Sequence, residues 1–153
     1  MVSEIRVIRD RKGGTGTLSY THNGINIGDI KIRTGAANQL ENSEWLRGIS
    51  GIPIGDFWLW NKKGYIQQPN DLDATEKEIG RFYPLSTYAH DHRTIWNQDK
   101  SKKREEIGLH DENGIKGSAG CVVVIDNALW RVLCKHLDDT PEGLITFRTR
   151  WRQ

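Results

Sequence analysis

Two residues eleven positions apart, His110 and Cys121, are the part of this sequence most suited to chemistry. Cys121 precedes the β-rich run Val122 to Ile125, and His110 follows Ile107 to Leu109, so each lies at the end of a predicted strand. A free cysteine is only roughly a few per cent thiolate at neutral pH, so an imidazole that takes the thiol proton would create a nucleophile. If the two strands are antiparallel neighbours, we expect both side chains at one rim of the sheet.

The loop that leads into Cys121 offers backbone groups as well as the thiol. Gly117 and Gly120 leave the chain free to curl, and Ser118 to Cys121 provides consecutive N–H groups of the kind that bind an oxyanion. One such donor contributes roughly 2.7–4 kcal/mol to acyl transfer. The same residues also suit a plain β-hairpin tip, in which Cys121 begins a buried strand and His110 is solvated.

The second cysteine, Cys134, lies in a different setting. Leu129, Leu133 and Leu137 recur at helical spacing, which predicts a helix over residues 127–137. Cys134 falls beside this apolar stripe and is predicted to be an unreactive core residue, because a buried free cysteine packs as a small hydrophobic group. No Cys/His cluster predicts a structural zinc site.

The elements around these residues are mostly strands. Alternating apolar residues predict a β-meander in the first third of the chain, with a bulge at Gly28 in its third strand. A loop over residues 35–51 follows, with one short helix around Glu41 to Leu46. Further strands are predicted at 52–60, 107–109, 122–125 and 144–151.

Residues 62–106 are predicted to be a long irregular excursion that borders a binding cleft. A short helix is expected to open near Asp73, with Glu76 three positions on as in a capping box. His90 and His92 have a metal-ligand spacing, but no clear third ligand accompanies them, so we expect no metal here. The substrate-contact candidates in this stretch are Arg81, Tyr83, Tyr88, His90 and His92.

Two separate segments resemble the L,D-transpeptidase catalytic domain, also called the YkuD-like domain. Arg33-Thr-Gly35 followed by Ile52-Pro-Ile-Gly-Asp-Phe57 is similar to the family's T-G pair and its P-x-G-x-aromatic strand start. Its catalytic motif is a His, a loop and then [ST]-H-G-C. Here His110 aligns with the first His, Ser118 with the Ser/Thr, and Gly120-Cys121 with the G-C.

The resemblance implies a fold and a set of roles. The expected fold is mainly β, a β-sandwich or partly closed mixed sheet with one C-terminal helix. Cys121 would be the acyl-accepting nucleophile and His110 its general base, with the backbone carbonyl of Asp111 orienting the imidazole. Backbone N–H groups of Ala119, Gly120 and Cys121 would bind the oxyanion.

The motif also departs from the family. The family's second His is Ala119 here, and its Arg two places after the cysteine is Val123, so that help must come from elsewhere, with Arg81 and Arg93 as candidates, or be absent. The short loop between His110 and Cys121 is similar to compact variants of the fold, including some secreted antibacterial toxins.

Composition limits the partners. The chain has 153 residues, which fits one domain over residues 1–153, and its net charge of +2 gives no general attraction to nucleic acid. We expect no membrane insertion and no signal peptide, so action at the periplasm or wall would need another delivery route, and the location is otherwise cytoplasmic. No metal or organic cofactor is required.

The expected function is cysteine acyl transfer on peptidoglycan stem peptides. The product of an amine acceptor is a cross-link, whereas water as acceptor gives a carboxypeptidase or endopeptidase. Two alternatives stay open. One is a phage-borne or secreted wall-degrading toxin or lysis factor on the same scaffold, with an immunity protein as partner if it is a toxin. The other is a non-catalytic wall-binding or virion module, favoured by Ala119 and Val123.

Overall fold

The structure, a computed structural model, describes residues 3–41, 43–46, 49–66, 81–112 and 120–153. Eleven strands and one helix lie within these ranges. In chain order they are β1 Glu4–Arg9, β2 Thr15–His22, β3 Ile25–Thr34, β4 Gly55–Leu59, β5 Tyr65–Ile66, β6 Arg81–Ser86, β7 Thr94–Trp96, β8 Lys103–Glu105, β9 Gly108–Asp111, β10 Val122–Val124, α1 Asn127–Asp139 and β11 Ile145–Trp151.

Nine of these strands form one mixed sheet that closes on itself. The order is β4, β11, β1, β2, β3, β10, β9 and β6, and pairing of β4 with β6 completes the ring. Strand β5 pairs with the first residues of β6, on the edge of β6 that pairs with β4 further along. The pairs β1–β11 and β9–β10 are parallel. Strands β7 and β8 form a second, two-stranded sheet. The predicted fold class, mainly β with a partly closed mixed sheet and a helix near the C-terminus, is confirmed.

The first three strands form the predicted meander. Leu18 on β2 pairs with Ile30, but Tyr20 pairs with Ile27, so one residue on β2 opposes two on β3. The extra residue lies at Gly28-Asp29, where Asp29 has a φ of 57°. This irregularity is the predicted bulge.

Helix α1 completes the core. Trp130, Leu133, Cys134 and Leu137 belong to the same buried apolar cluster as the residues inside the closed sheet. Trp130 packs edge-on against Tyr83 with ring centroids 6.0 Å apart. Cys134 is fully buried, as predicted for a core cysteine. Among the described residues, no helix has the length and apolar character needed to span a membrane.

The start of α1 gives a test of the fold that leaves the candidate site alone. The Asp126 side chain accepts a hydrogen bond of 3.0 Å from the backbone N–H of Leu129, which is an N-cap. We expect Asp126→Ala to lower the free energy of unfolding by about 1 kcal/mol, measured by urea denaturation. Asp126→Asn keeps a capping oxygen and should remain close to wild type. Equal losses in the two variants would contradict a capping role.

Two predictions about the loops are wrong. The described residues between Glu41 and Leu46 form no helix. The excursion over residues 62–106 contains β6, a strand that takes part in closing the ring. Pro84 argues against such a strand in the sequence. On one edge of β6 it falls between the residues paired with β5 and those paired with β4, so it interrupts neither pairing, and on the other edge it pairs with Gly108 of β9. The helix predicted near Asp73 lies outside the described residues.

Candidate active site

The candidate pair lies on two neighbouring strands that run parallel. Val123 on β10 lies level with His110 on β9, so Cys121, two residues earlier, comes level with Gly108. The antiparallel arrangement considered for these strands is therefore wrong. A short connection favours a hairpin, but β10 pairs antiparallel with β3 and meets β9 in the parallel sense.

Parallel pairing still puts both side chains on one face of the sheet. Cys121 shares its face with Val123, which is paired with His110, whereas Val122 and Val124 belong to the buried core cluster. The pair therefore lies on the outer face. With strands about 4.8 Å apart and a rise of about 3.3 Å per residue, the Cα atoms of His110 and Cys121 are roughly 8 Å apart. An imidazole and a thiol can bridge that spacing.

His110 is held as a neutral base. Its Nδ1 donates a 2.6 Å hydrogen bond to the backbone carbonyl of Asp111, the predicted orienting contact, which leaves Nε2 as the acceptor nitrogen. The ring stacks on Phe82 with centroids 5.9 Å apart. Burial lowers the pKa of His110 below its ordinary 6.5, although Asp111 opposes the shift. At neutral pH the imidazole is uncharged and can accept a proton.

Cys121 is held as a thiol rather than a thiolate. Its side chain is 8% exposed, and Sγ donates to the backbone carbonyl of Glu106 at 3.6 Å. Burial is the main cause that raises the pKa of Cys121 to about 11, helped by Glu106 and opposed by the Gly108 backbone N–H and by Arg104. The raised pKa disfavours a resting thiolate, so the proton has to leave as the thiol reacts. The resting pair is a thiol and a neutral imidazole.

The turn before Cys121 is tightly built. Gly120 has a φ of 116°, and a Cβ there would collide with Nη2 of Arg104. Its carbonyl accepts a 3.3 Å hydrogen bond from Oγ1 of Thr34, which belongs to the segment that resembles the family's T-G pair. Ser118 and Ala119, predicted for the motif and the oxyanion site, lie outside the described residues.

A cavity of about 300 Å³ adjoins the pair. Phe82, which stacks on His110, and Glu106, whose carbonyl accepts from the thiol, both line it. Its remaining lining residues are Lys63, Pro84, His92, Arg93 and Ile107. The apolar residues of this set form part of the wall, and lysine and arginine outnumber the single carboxylate. Such a cavity suits a peptide that carries negative charge.

Two of the predicted substrate residues have another role. Tyr83 is fully buried, and its hydroxyl donates to Asp138 of α1 at 2.8 Å. Arg81 forms a bidentate pair with the same carboxylate, at 2.8 and 2.9 Å. Both side chains alternate with Phe82 along β6 and so lie on the opposite face from His110. Their contacts brace the helix against the sheet, so the substrate prediction is wrong for Arg81 and Tyr83.

The other three candidates lie in the loop after β6. His92 lines the cavity and contacts the Trp60 ring, with centroids 5.4 Å apart. Tyr88 and His90 stack on each other at 5.5 Å, and neither lines the cavity. His92 is thus the predicted substrate residue that lines the cavity. No group of three potential metal ligands occurs among the described residues.

Sequence reasoning missed Arg104, Glu106 and Phe82. Arg104 lies in the stretch predicted to be an irregular excursion, and no pattern distinguishes it from the exposed Lys103 and Glu105 on either side. Phe82 lies in the same stretch, and its stacking on His110 depends on the pairing of β6 with β9. A φ of 57° at Glu106 is a backbone feature that its sequence does not indicate.

The buried imidazole makes stability depend on pH. Because the folded pKa of His110 is lowered, the unfolded chain binds a proton between about pH 6.5 and the folded pKa while the folded chain does not. Its contribution is fully present above pH 6.5 and is lost as the pH falls through this window. We expect urea midpoints of wild type to decline from pH 7 to 5 more steeply than those of His110→Gln. Parallel curves would contradict the assigned protonation state.

Comparisons with known proteins place the fold. No protein-family model matches the chain, and no curated protein sequence does. A solved structure of the helical cell shape determining protein Pgp2 from Campylobacter jejuni is similar over 99% of this chain and 49% of its own, with 16% identity and a TM-score of 0.58. A structure of a single-residue mutant of Pgp2 is similar over 99% of this chain and 48% of its own, with 16% identity and a TM-score of 0.59. The chain spans about half the length of the structures it matches, and shares their fold.

Proposed function

We propose that the chain is a cysteine acyl-transfer enzyme of the L,D-transpeptidase kind that acts on peptidoglycan stem peptides. The observation that carries the proposal is a thiol and a neutral imidazole on one face of adjoining strands. Each contacts a residue that lines the neighbouring cavity, Glu106 for Cys121 and Phe82 for His110. Likeness of fold to a helical cell shape determining protein supports a role at the cell wall, the layer that fixes bacterial shape.

The steps follow from the state of the pair. Nε2 of His110 takes the thiol proton as Sγ of Cys121 attacks a peptide carbonyl beside the D-centre of a stem peptide. The C–N bond then breaks, and the imidazolium gives its proton to the leaving amine. The thioester on Cys121 passes its acyl group to an amine, which makes a cross-link, or to water, which releases an acid. Backbone N–H groups at Gly120 and Cys121 are the proposed oxyanion donors.

The cavity supports an anionic peptide as substrate. Lys63 and Arg93 supply two positive charges against the one carboxylate of Glu106, and neither cation forms an ion pair among the described residues. His92 adds a fourth polar group to the same lining. Stem peptides carry free carboxylates, so the charge balance of the cavity favours them over a neutral acyl donor.

A digest of sacculi tests the proposal. Purified protein is incubated with peptidoglycan, and the muropeptides are separated and weighed after muramidase treatment. New cross-links identify a transpeptidase, loss of a terminal D-residue a carboxypeptidase, and loss of cross-links an endopeptidase. Unchanged muropeptides together with retention of the protein on sacculi would contradict catalysis and favour the wall-binding alternative. The observation that favours this alternative is the buried Cys121 thiol, whose raised pKa makes it a weak nucleophile at neutral pH.

The toxin or lysis-factor alternative uses the same chemistry and differs in its effect on cells. Periplasmic expression with an export signal should then kill a bacterial host, and Cys121→Ala should not. Growth that is unaffected by the wild-type protein would contradict this alternative. An immunity protein as partner belongs to the same alternative.

A further inference from the structure

We propose that Arg104, on β8 of the two-stranded sheet, is a positioning residue whose cation fixes the turn before Cys121 and stabilises negative charge on its sulfur. The inference takes from the proposed function only that Cys121 is the reacting group. It also gives the two-stranded sheet a role, because β7 and β8 then hold the positive charge of Arg104 beside the candidate site.

The first support is the way Arg104 is buried. It is 4% exposed although both neighbours on β8 are exposed, and it pairs across the sheet with the fully buried Ile95. An arginine stays protonated in a protein interior, so burying it is costly unless hydrogen bonds and charge compensate. Desolvation lowers the pKa of Arg104, and the thiolate form of Cys121 opposes that change. This is the direction expected if the guanidinium stabilises negative charge on the sulfur.

The second support is the set of hydrogen bonds that orients the guanidinium. Nη1 donates to the carbonyl of Glu44 at 2.8 Å and to that of Gly51 at 3.2 Å, and Nη2 donates to the carbonyl of Ser50 at 3.1 Å. These carbonyls fix the head group against the loop that follows β3. These three acceptors are backbone carbonyls, which do not titrate.

The third support is the contact with the turn. Nη2 occupies the space that a Cβ would need at Gly120, the residue directly before Cys121. Gly120 also bonds to Thr34, whose Oγ1 accepts the N–H of Ile52 at 2.8 Å. The loop, the turn and the guanidinium therefore form one connected unit. A positive charge held this close to a desolvated thiol lowers the cost of removing its proton.

The charged and titratable groups near Cys121 shift its pKa in opposite directions. Glu106 raises its pKa, and His110 is neutral, so Arg104 is the cation that lowers it. Near Arg104 itself lie Arg9 and, beside Arg9, the carboxylate of Glu44. Removing Arg104 leaves Cys121 with the Gly108 N–H as the remaining assigned cause that favours the thiolate.

Arg9 provides a matched control. It is 1% exposed, donates to Gln39 Oε1 at 2.9 Å and to the Ile52 carbonyl, and lies 4.3 Å from the centroid of the Trp151 ring. It therefore anchors the same loop with another buried guanidinium. Arg9 is not among the charges that set the pKa of Cys121.

The experiment measures alkylation of Cys121 by iodoacetamide, in which the thiolate displaces iodide, by intact mass between pH 7.5 and 9.5. Arg104→Gln and Arg104→Met remove the charge, the second without adding a buried amide, and Arg104→Lys keeps it. We expect both neutral variants to react about tenfold more slowly than wild type, as for a pKa raised by about one unit. Arg104→Lys should stay within about threefold, and Arg9→Gln should match wild type. Cys121→Ala gives the background, and a melting curve for each variant confirms folding.

A purely structural role predicts the opposite sign. Loosening the loop exposes the buried thiol, so alkylation would become faster in the neutral Arg104 variants and in Arg9→Gln alike. That result, or wild-type rates in a folded neutral variant, would overturn the proposal. The assay uses no peptidoglycan, so it can succeed even if the muropeptide digest fails, and the two failures are distinguishable.

Discussion

Cys121→Ala is expected to abolish turnover of muropeptides, with a loss of at least about 10⁴-fold in kcat, because no other group can form the thioester. The described structure leaves no substitute: Cys134 is fully buried in the core, on the helix side of the sheet. The measurement is the rate of product formation from purified stem peptides, followed by mass spectrometry.

Two further variants make this result specific to the thiol. Cys121→Ser keeps a nucleophilic atom but has a much higher pKa, so it should be nearly as inactive as the alanine variant. A conservative Cys134→Ala change removes a core side chain and should lower the free energy of unfolding, with kcat retained below the melting temperature. Retained activity in Cys121→Ala would show that the reaction uses a different site.

Loss of the imidazole should have the second-largest effect. General acid–base catalysis contributes roughly 10²–10⁴-fold, so we expect His110→Gln to lower kcat/KM by a factor in that range. Glutamine has about the same bulk as histidine, so the substitution removes the base without leaving a large cavity. The loss should fall mainly on kcat rather than on KM, since the proposed role of His110, which is stacked on Phe82, is to act on the thiol rather than to hold the peptide.

The pH profile separates this role from a structural one. The base must be neutral, and burial lowers the pKa of His110, so wild-type kcat/KM should be constant near neutrality and fall only at a pH below 6.5. His110→Gln should lack this limb and instead rise with pH toward the pKa of the thiol, about 11 in the folded protein. An acid limb that persists in the variant would assign the titration to another group.

The sequence predicts the elements better than it predicts their pairing. The meander, its bulge at Gly28 and the helix that begins after Asp126 each follow from local periodicity and capping. The parallel pairing of β9 with β10 does not, because it depends on which strands flank β10 in the closed sheet. The same holds for β6, whose Pro84 argues against a strand within the sheet until its three partner strands, β4, β5 and β9, are known.

The candidate site shows the same division. His110 and Cys121 are predicted from motif and spacing, and the Asp111 carbonyl from the family resemblance; the structure contains the hydrogen bond between that carbonyl and the imidazole. Arg104 could not be found, because its proposed role depends on its burial beside Gly120, and the local sequence does not indicate that burial. Tyr83 was misassigned because an aromatic residue in a polar stretch suits a cleft as well as a core, and only the docking of α1 decides between them.

The most direct test of the central claim, that Cys121 is an acylatable nucleophile, is an intact-mass measurement after exposure to a carbapenem, a reagent class that acylates the cysteine of the L,D-transpeptidase family. We predict one stable adduct on wild type, slower formation in His110→Gln, the same adduct in Cys134→Ala and none in Cys121→Ala. An adduct that survives in Cys121→Ala, or that is lost only in Cys134→Ala, would contradict the account.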